Sequence, residues 1–304
     1  MTRYPHVAAY VTEPIWAVAL ERLAGILMAR SDSLPVEIES RLPAQSGART
    51  AGAVAVIPLH GVITHRSGPM GEFWGDTSIE NLRTNLRAAL SDPAVKSIVL
   101  DVDSPGGSVN GLQEMADEIY QARSQKHIVA QVNTLGASAA FWLASQADEI
   151  VVVPSGEVGS IGVIALHMDL SGAMAQAGIT PTVLTAGKFK GEGNPYQPID
   201  DASRGAIQER LDDYYGQFVG SVARGRGVPE ATVRAGFGEG RIVGATRAKR
   251  EGMIDRIGGL DDTIQRLASG TWRKPRGMGA EEDAAGIMAV PPDLDRRRRL
   301  MLMG

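Results

Sequence analysis

The sequence predicts an α/β fold with a largely parallel sheet, and two observations support this prediction. Short apolar runs typical of buried strands alternate with amphipathic runs of roughly 10–15 residues typical of helices. Such alternation indicates crossover units, because a parallel strand can follow another only after a connection of roughly a dozen residues. The chain of 304 residues, with 43% hydrophobic and 22% charged residues, is long enough for one large domain with appendages.

The predicted elements follow one another in a regular order. The first strand, over residues 53–59, is an unbroken apolar run, and residues 78–90 form the first amphipathic helix of the alternating region. The further predicted strands are 97–102, 127–132, 149–153, 163–166 and 182–184. The further predicted helices are 109–124, 138–146, 201–224, 230–235, 245–251 and 261–267.

The flanking regions predict three appendages to this domain. Residues 1–31 form an N-terminal helical segment, in which Leu23 and Leu27 fall at helical spacing. Its apolar run contains charges and is shorter than the ~20 residues that a bilayer requires, so no membrane anchor is predicted. Residues 32–52 are predicted as a linker, 53–268 as the main domain and 269–304 as a flexible tail.

The composition excludes several classes of function. The chain has no cysteine, which excludes disulfides, thiolate catalysis and Cys-ligated metals and suits a reducing cytoplasm. The net charge of −4 argues neither for nor against nucleic acid. The basic run Arg296–Arg299 could touch nucleic acid, but so short a run is more often only solubilising, so no nucleic-acid partner is predicted. No two histidines have metal-ligand spacing, and the glycines of 156–162 lack the ending of a phosphate loop, so neither a metal nor a cofactor is predicted.

Ser138 is the candidate nucleophile. It stands among the small residues 136–140 at a predicted strand-to-helix junction, where a sharp turn would present its hydroxyl to a substrate carbonyl. If the helix starts there, the Ala139 amide lies near its positive end and can stabilise an oxyanion. The alternative is an N-cap serine at the start of an Ala-rich helix.

A second motif, Asp103-Ser104-Pro105-Gly106-Gly107, closes the strand over residues 97–102. Paired glycines after a strand expose backbone N–H groups with no side chain in the way, which suits an oxyanion hole. The alternative is an ordinary turn followed by an N-cap serine.

Lys190, on a Gly-rich segment, is the candidate general base. A lysine accepts a proton only as the neutral amine, so the site would have to bury it among apolar groups and hydrogen-bond partners. Residues 159–163 are a suitable lining, with the Ser160 hydroxyl orienting the amine. The alternatives are that Lys190 is a solvated surface charge, or that His167 and Asp169 complete a triad with Ser138.

The order of four motifs resembles the signal peptide peptidase A (S49) family of serine peptidases. The motifs are Asp-Ser-Pro-Gly-Gly at 103–107, Ala-Ser-Ala at 137–139, Gly-Ser-Ile-Gly-Val at 159–163 and Gly-x-x-Lys at 187–190. The likeness covers about residues 53–268, and it implies that this region is an S49-type peptidase domain.

The resemblance implies a role for each candidate residue. The nucleophile falls on Ser138, the general base on Lys190, the lysine-orienting serine on Ser160, and the oxyanion amides on Gly107 and Ala139. It also implies a ClpP/crotonase-like spiral of β-β-α units with a helical C-terminal portion. Ring-like homo-oligomers, whose neighbouring subunits complete the cleft, are a further implication.

Other residues resemble the lambda-type phage head-maturation branch. They are Pro5-His6-Val7-Ala8 with Glu13-Pro14, and a lysine standing three residues before Gly-Asn-Pro-Tyr at 193–196. This implies cleavage of scaffold, portal or capsid proteins in the host cytoplasm, inside the assembling procapsid. The alternatives are a soluble peptidase that degrades signal peptides, a crotonase-like acyl-CoA enzyme and an inactive assembly factor.

Overall fold

The computed structural model describes residues 16–18, 48–66 and 75–270. The strands described are β1 (Trp16–Val18), β2 (Arg49–Ala51), β3 (Val54–Thr64), β4 (Thr77–Ser78), β5 (Ser97–Ser108), β6 (His127–Ala137), β7 (Glu149–Val152), β8 (Glu157–Gly159), β9 (Ile242–Gly244) and β10 (Arg256–Ile257). The α-helices are α1 (Ile79–Ser91), α2 (Leu112–Ala122), α3 (Ala139–Ala144), α4 (Ser171–Gln176), α5 (Asp201–Arg226), α6 (Glu230–Gly236), α7 (Ala245–Arg250) and α8 (Leu260–Ala268).

All these strands belong to one sheet whose central path runs β10-β7-β6-β5-β3-β2. The pairs β3–β5, β5–β6 and β6–β7 are parallel. The first half of β6 pairs with β7, whereas its second half pairs with β8. The register of β3 and β5 also shifts part-way along, so each long strand has two segments before its helix. The predicted α/β fold, a spiral of β-β-α units with a helical C-terminal portion, is confirmed.

Helices cover both faces of the sheet because each presents an apolar stripe. Helix α1 starts at Ser78, whose hydroxyl accepts a hydrogen bond from the Asn81 amide, and buries Ile79, Leu82 and Leu86. On the opposite face, α8 packs against alternate valines of four neighbouring strands. Those valines are Val54, Val56, Val99, Val129 and Val151.

Helix α5 fixes α3, the short helix that follows Ser138. The rings of Phe218 and Trp142 stack with centroids 4.5 Å apart. A Cβ atom at Gly225 would lie 2.0 Å from the carbonyl oxygen of Ser145, so only glycine permits this approach. The C-terminal half of α5 thus holds the C-terminal end of α3 in place.

The structure corrects the sequence prediction at several positions. Residues 182–184 form no strand, and of 163–166 only Ile164 pairs, in a single bridge with Trp16. An apolar run becomes a strand only where a partner edge is available, and residues 182–184 are exposed instead. Residues 16–18 form a strand, not the predicted helix, and residues 49–51 of the predicted linker form another.

The remaining terminal predictions lie largely outside the described residues. The rest of the predicted N-terminal helix and residues 271–304 of the predicted tail are in that part of the chain. Among the helices that the structure does describe, none combines the length and the hydropathy needed to cross a bilayer.

Candidate active site

Ser138 occupies a sharp turn between β6 and α3. Its backbone angles, φ 55° and ψ −117°, are unusual for a residue with a side chain and cost about 1–3 kcal/mol. Two backbone hydrogen bonds hold this conformation: the Ser138 amide donates to Gly159 O (2.7 Å), and the Ser138 carbonyl accepts from the Trp142 amide (2.9 Å). A backbone held in this way presents the side chain at a fixed position beyond the end of the strand.

The Ser138 hydroxyl makes no capping hydrogen bond to α3. Its Oγ instead donates to the carbonyl oxygen of Gly162 over 3.3 Å, a long and therefore weak hydrogen bond. The residue is fully buried. Ser138 is therefore the N-cap residue of α3 by position, but its hydroxyl does not cap the helix and points to the Gly159–Val163 segment instead.

The two stretches predicted to supply oxyanion amides lie side by side. A Cβ atom built on Gly106, which has φ 101°, would lie 3.0 Å from the Ala139 amide nitrogen and 3.0 Å from the Ala137 carbonyl oxygen. Only glycine fits at this position. The Ala139 amide is at the first position of α3, where no intrahelical acceptor exists, so it can donate to a bound group.

Gly106 and Gly107 form a glycine turn near the end of β5, where Gly106 has a positive φ. Ser104 shapes this glycine turn, a role that the sequence did not reveal. Its buried hydroxyl donates to the Gly61 carbonyl oxygen (2.6 Å) and accepts from the Gly106 amide (3.1 Å). The Ser104 hydroxyl thereby links the bend in β3 to the glycine turn of β5. A serine two residues before paired glycines was the available signal.

Ser160 lies beside Ser138 through the register of two parallel strands. Ala137 of β6 pairs with Gly159 of β8, and each serine is the next residue along its strand. Ser160 also has a positive φ of 53°, and its amide donates to the Arg241 carbonyl (2.9 Å). The two predicted site serines therefore stand at equivalent, strained positions just past the ends of neighbouring strands.

Lys190 has a different setting. It is exposed, in a turn closed by its own amide donating to the Gly187 carbonyl (3.2 Å). Within the described part of the chain, no hydrogen bond or ion pair joins Lys190 to Ser138 or Ser160. The neighbouring Lys188 places its ammonium 4.6 Å from the centroid of the Phe189 ring. The single chain thus assembles the serine side of the predicted dyad without its lysine.

The histidine alternative has no support from the geometry. The ring Nε2 of His167 lies 3.1 Å from the Asn194 carbonyl oxygen, and Asp169 accepts a hydrogen bond from the Ser171 amide (2.9 Å). The hydrogen bonds from Ser171 hold the pKa of the Asp169 carboxyl below its usual value. Neither side chain is bonded to Ser138. Among the described residues, no cluster of three or more acidic or histidine side chains is placed to hold a metal ion.

The glycine turn is also paired with a strand from the N-terminal region. Strand β1 runs antiparallel to β5, with Ala17 opposite Gly107 and Val18 opposite Gly106. On its other edge, Trp16 exchanges both backbone hydrogen bonds with Ile164, at 2.9 and 2.8 Å. The apolar residues after residue 19 have helical spacing, so the sequence predicts a helix here and not this strand.

Comparisons with known proteins agree with the motifs. The profile of Peptidase family S49 matches residues 114–274, just over half of the chain. The head-tail preconnector protein GP5 of Enterobacteria phage P21 is 32% identical over 229 residues, 75% of this chain and 45% of that protein. The capsid assembly protease C of Escherichia phage lambda is 30% identical over 246 residues, 81% of this chain and 54% of that protein.

This chain thus spans about half the length of these curated relatives. A solved structure of the 1510-N membrane-bound stomatin-specific protease superposes with a TM-score of 0.44 and 13% identity. That superposition covers 72% of this chain and 86% of the other. The profile match and the sequence relatives lead to one assignment: the chain belongs to peptidase family S49.

Proposed function

We propose that this chain is a serine endopeptidase in which Ser138 is the nucleophile and Lys190 the general base. The observation that carries the proposal is the strained turn at Ser138. The hydroxyl of Ser138 does not cap α3, and it lies beside the glycine turn of β5. A hydroxyl fixed next to backbone amides that can donate to an oxyanion is the arrangement that acyl transfer requires.

The reaction begins when neutral Lys190 takes the proton of the Ser138 hydroxyl and the oxygen attacks the peptide carbonyl carbon. The amides of Gly107 and Ala139 stabilise the resulting oxyanion. Lys190 then protonates the leaving amine as the C–N bond breaks, and the acyl group remains on Ser138. Water, activated by the same amine, hydrolyses this ester and regenerates the enzyme. Ser160 positions the lysine amine.

The substrate binds as an extended segment that adds a strand beside β5. Strand addition gives affinity through main-chain hydrogen bonds, and the side chain before the cut sets the specificity. The family resemblance favours small or apolar residues at that position.

Lys190 reaches the site when a neighbouring subunit of a ring-like homo-oligomer covers its segment. Support comes from exposed apolar side chains: every large hydrophobic residue that is exposed in the described part of the chain falls between residues 166 and 196. Leu184 is 88% exposed and Phe189 59%. Such a concentration of apolar surface indicates a contact with another protein. Burial of this surface would exclude water from the amine of Lys190.

The biological substrates that we propose are scaffold, portal or capsid proteins of an assembling phage head, in the host cytoplasm. The support is the pair of phage relatives, one of them called a capsid assembly protease. We further propose that the peptidase domain ends at α8 and extends N-terminally beyond residue 53, because β1 and β2 join its sheet.

The test compares hydrolysis of an unfolded protein such as casein by the wild type and three variants. Ser138→Ala and Lys190→Ala should each lower kcat/KM by at least about a hundredfold, as loss of a nucleophile or a general base does. His167→Ala should keep its activity. Full activity of Lys190→Ala would refute the lysine as base, and full activity of Ser138→Ala would refute the proposal.

A further inference from the structure

The N-terminal strand β1 lies in the place where a peptide substrate would have to bind. One side of this groove is the end of β5, residues 106–108, and the other is Ile164, just beyond the Gly159–Val163 segment that faces Ser138. Strand β1 pairs with both sides. A substrate that adds a strand to β5 next to Ser138 would meet an edge that the chain's own residues already occupy.

The orientation of Ala17 matches that of a residue about to be cut. The amide and carbonyl of Trp16 both point to Ile164, with which they exchange hydrogen bonds. Backbone groups of consecutive strand residues point to opposite edges, so the amide and carbonyl of Ala17 point to β5 and face Gly107. Gly107 is one of the two residues whose amides we propose as oxyanion donors.

The second proposed donor lies next to the same carbonyl. A Cβ atom built on Gly106 would lie 2.2 Å from the Ala17 carbonyl oxygen and 3.0 Å from the Ala139 amide nitrogen. These two atoms therefore lie against the same side of Gly106, a few ångströms apart. The Ala17 carbonyl occupies the neighbourhood in which a scissile carbonyl would be polarised.

Burial shows that β1 is seated in the groove and does not lie across it. Ala17 is fully buried and belongs to the main core cluster, whereas Trp16 and Val18 pack with Val62 and Ile164 on the other face. Alanine is also a small residue of the kind proposed to precede the cut. The strand thus combines main-chain pairing on two edges with side chains that fit both faces.

We infer that β1 is a built-in occupant of the peptide-binding groove. It places the Ala17 carbonyl at the proposed oxyanion amides, and other peptides enter the groove only when β1 leaves. This inference rests on the proposed function of Ser138. A tethered segment competes at an effective concentration on the order of millimolar, so weak free peptides are excluded efficiently. Loosening β1 should therefore activate the enzyme, and fixing it should silence the enzyme.

A reversible lock tests this inference, because the chain has no cysteine of its own. The double variant Trp16→Cys/Ile164→Cys places two thiols on directly opposed residues of an antiparallel pair, whose Cα separation of roughly 5.5 Å a disulfide tolerates. Casein hydrolysis should fall at least tenfold on oxidation and return with reductant. Neither single-cysteine variant should respond to oxidant.

A second variant loosens β1 without a cross-link. Trp16→Ala removes the largest side chain that holds the strand and should raise casein hydrolysis several-fold over the wild type. A Ser138-dependent cut after Ala17 in the wild-type chain would also support the inference, since only a segment seated in the groove presents that bond.

The inference is overturned if the cross-linked double variant, with the disulfide verified by mass, hydrolyses casein as fast as its reduced form. Failure of the proposed function looks different: no form of the protein, locked or loosened, would then hydrolyse casein, and Ser138→Ala would change nothing. That result would overturn both the function and the inference.

Discussion

The two halves of the proposed dyad lie in regions of opposite character. Ser138 is fully buried, with its backbone held by Gly159 and Trp142 and its helix clamped by α5. Lys190 lies on an exposed segment, in a turn closed by one backbone hydrogen bond. One half is fixed by the fold of the single chain, whereas the other is exposed to solvent.

In the proposed mechanism, this difference places control of the activity on the exposed segment that carries Lys190. A strained serine turn needs a rigid frame, because residues at such backbone angles persist only when their surroundings determine them. A lysine base needs desolvation, which another molecule can supply. A peptidase built in this way would be inactive as a single chain and active when assembled, which suits an enzyme that must not digest its substrates early.

The largest effect is expected from a substitution in the exposed half, the lysine segment around Lys190. Leu184→Glu places a charge on the most exposed apolar side chain of the lysine segment and should dissociate the oligomer while lowering casein hydrolysis about a hundredfold, the usual loss when a general base is removed. Sedimentation gives the oligomeric mass, and Thr182→Glu on the same exposed segment is the matched control. A monomeric Leu184→Glu protein with full activity would show that assembly is not needed.

Sequence reasoning was most successful where local chemistry determines the structure. The strand-to-helix junction at Ser138 was predicted because small residues at this point have few other uses. The strand predicted to end at residue 102 instead continues to Ser108, with the positive φ of Gly106 inside it. Strand β1 was missed because three residues carry no periodicity and its pairing partners, Gly107 and Ile164, are remote in sequence. The predicted strand at 182–184 failed because an apolar run alone does not show whether its partner is a sheet or another molecule.

A smaller effect on catalysis is expected from a substitution in the buried half, next to the glycine turn. Ser104→Ala removes the hydroxyl that joins Gly61 to Gly106, so the glycine turn that carries a proposed oxyanion donor should become less well positioned. We expect kcat to fall about tenfold, less than for outright loss of an oxyanion donor, with KM little changed. The folded state should lose about 1 kcal/mol.

Ser124→Ala is the matched control, because it deletes a comparable serine-to-carbonyl hydrogen bond on the exposed surface. If Ser104→Ala and Ser124→Ala have the same kcat, the hydroxyl of Ser104 has only a structural role.

The smallest effect concerns the pH dependence of the stability that the His60–Asp101 pair gives to the folded protein. The hydrogen bond to Asp101 raises the pKa of His60 above its ordinary value of 6.5, although partial burial opposes this. Since the folded-state pKa is the higher one, the pair stabilises the fold fully below pH 6.5, and this contribution is lost as the pH rises through the raised value. The difference in Tm between wild type and His60→Gln should therefore shrink from pH 5.5 to pH 8.5. A difference that grows with pH would contradict the pairing.

The most direct measurement is the labelling of Ser138 by a serine-directed acylating probe, followed by intact mass and peptide mapping, in the wild type, Lys190→Ala and Lys188→Ala. The two lysines stand two residues apart on the same exposed segment, so each controls for the other. We expect a single label on Ser138 in the wild type and in Lys188→Ala, and labelling at least about a hundredfold slower in Lys190→Ala. Labelling of Lys190→Ala at the wild-type rate would contradict the Ser138–Lys190 dyad.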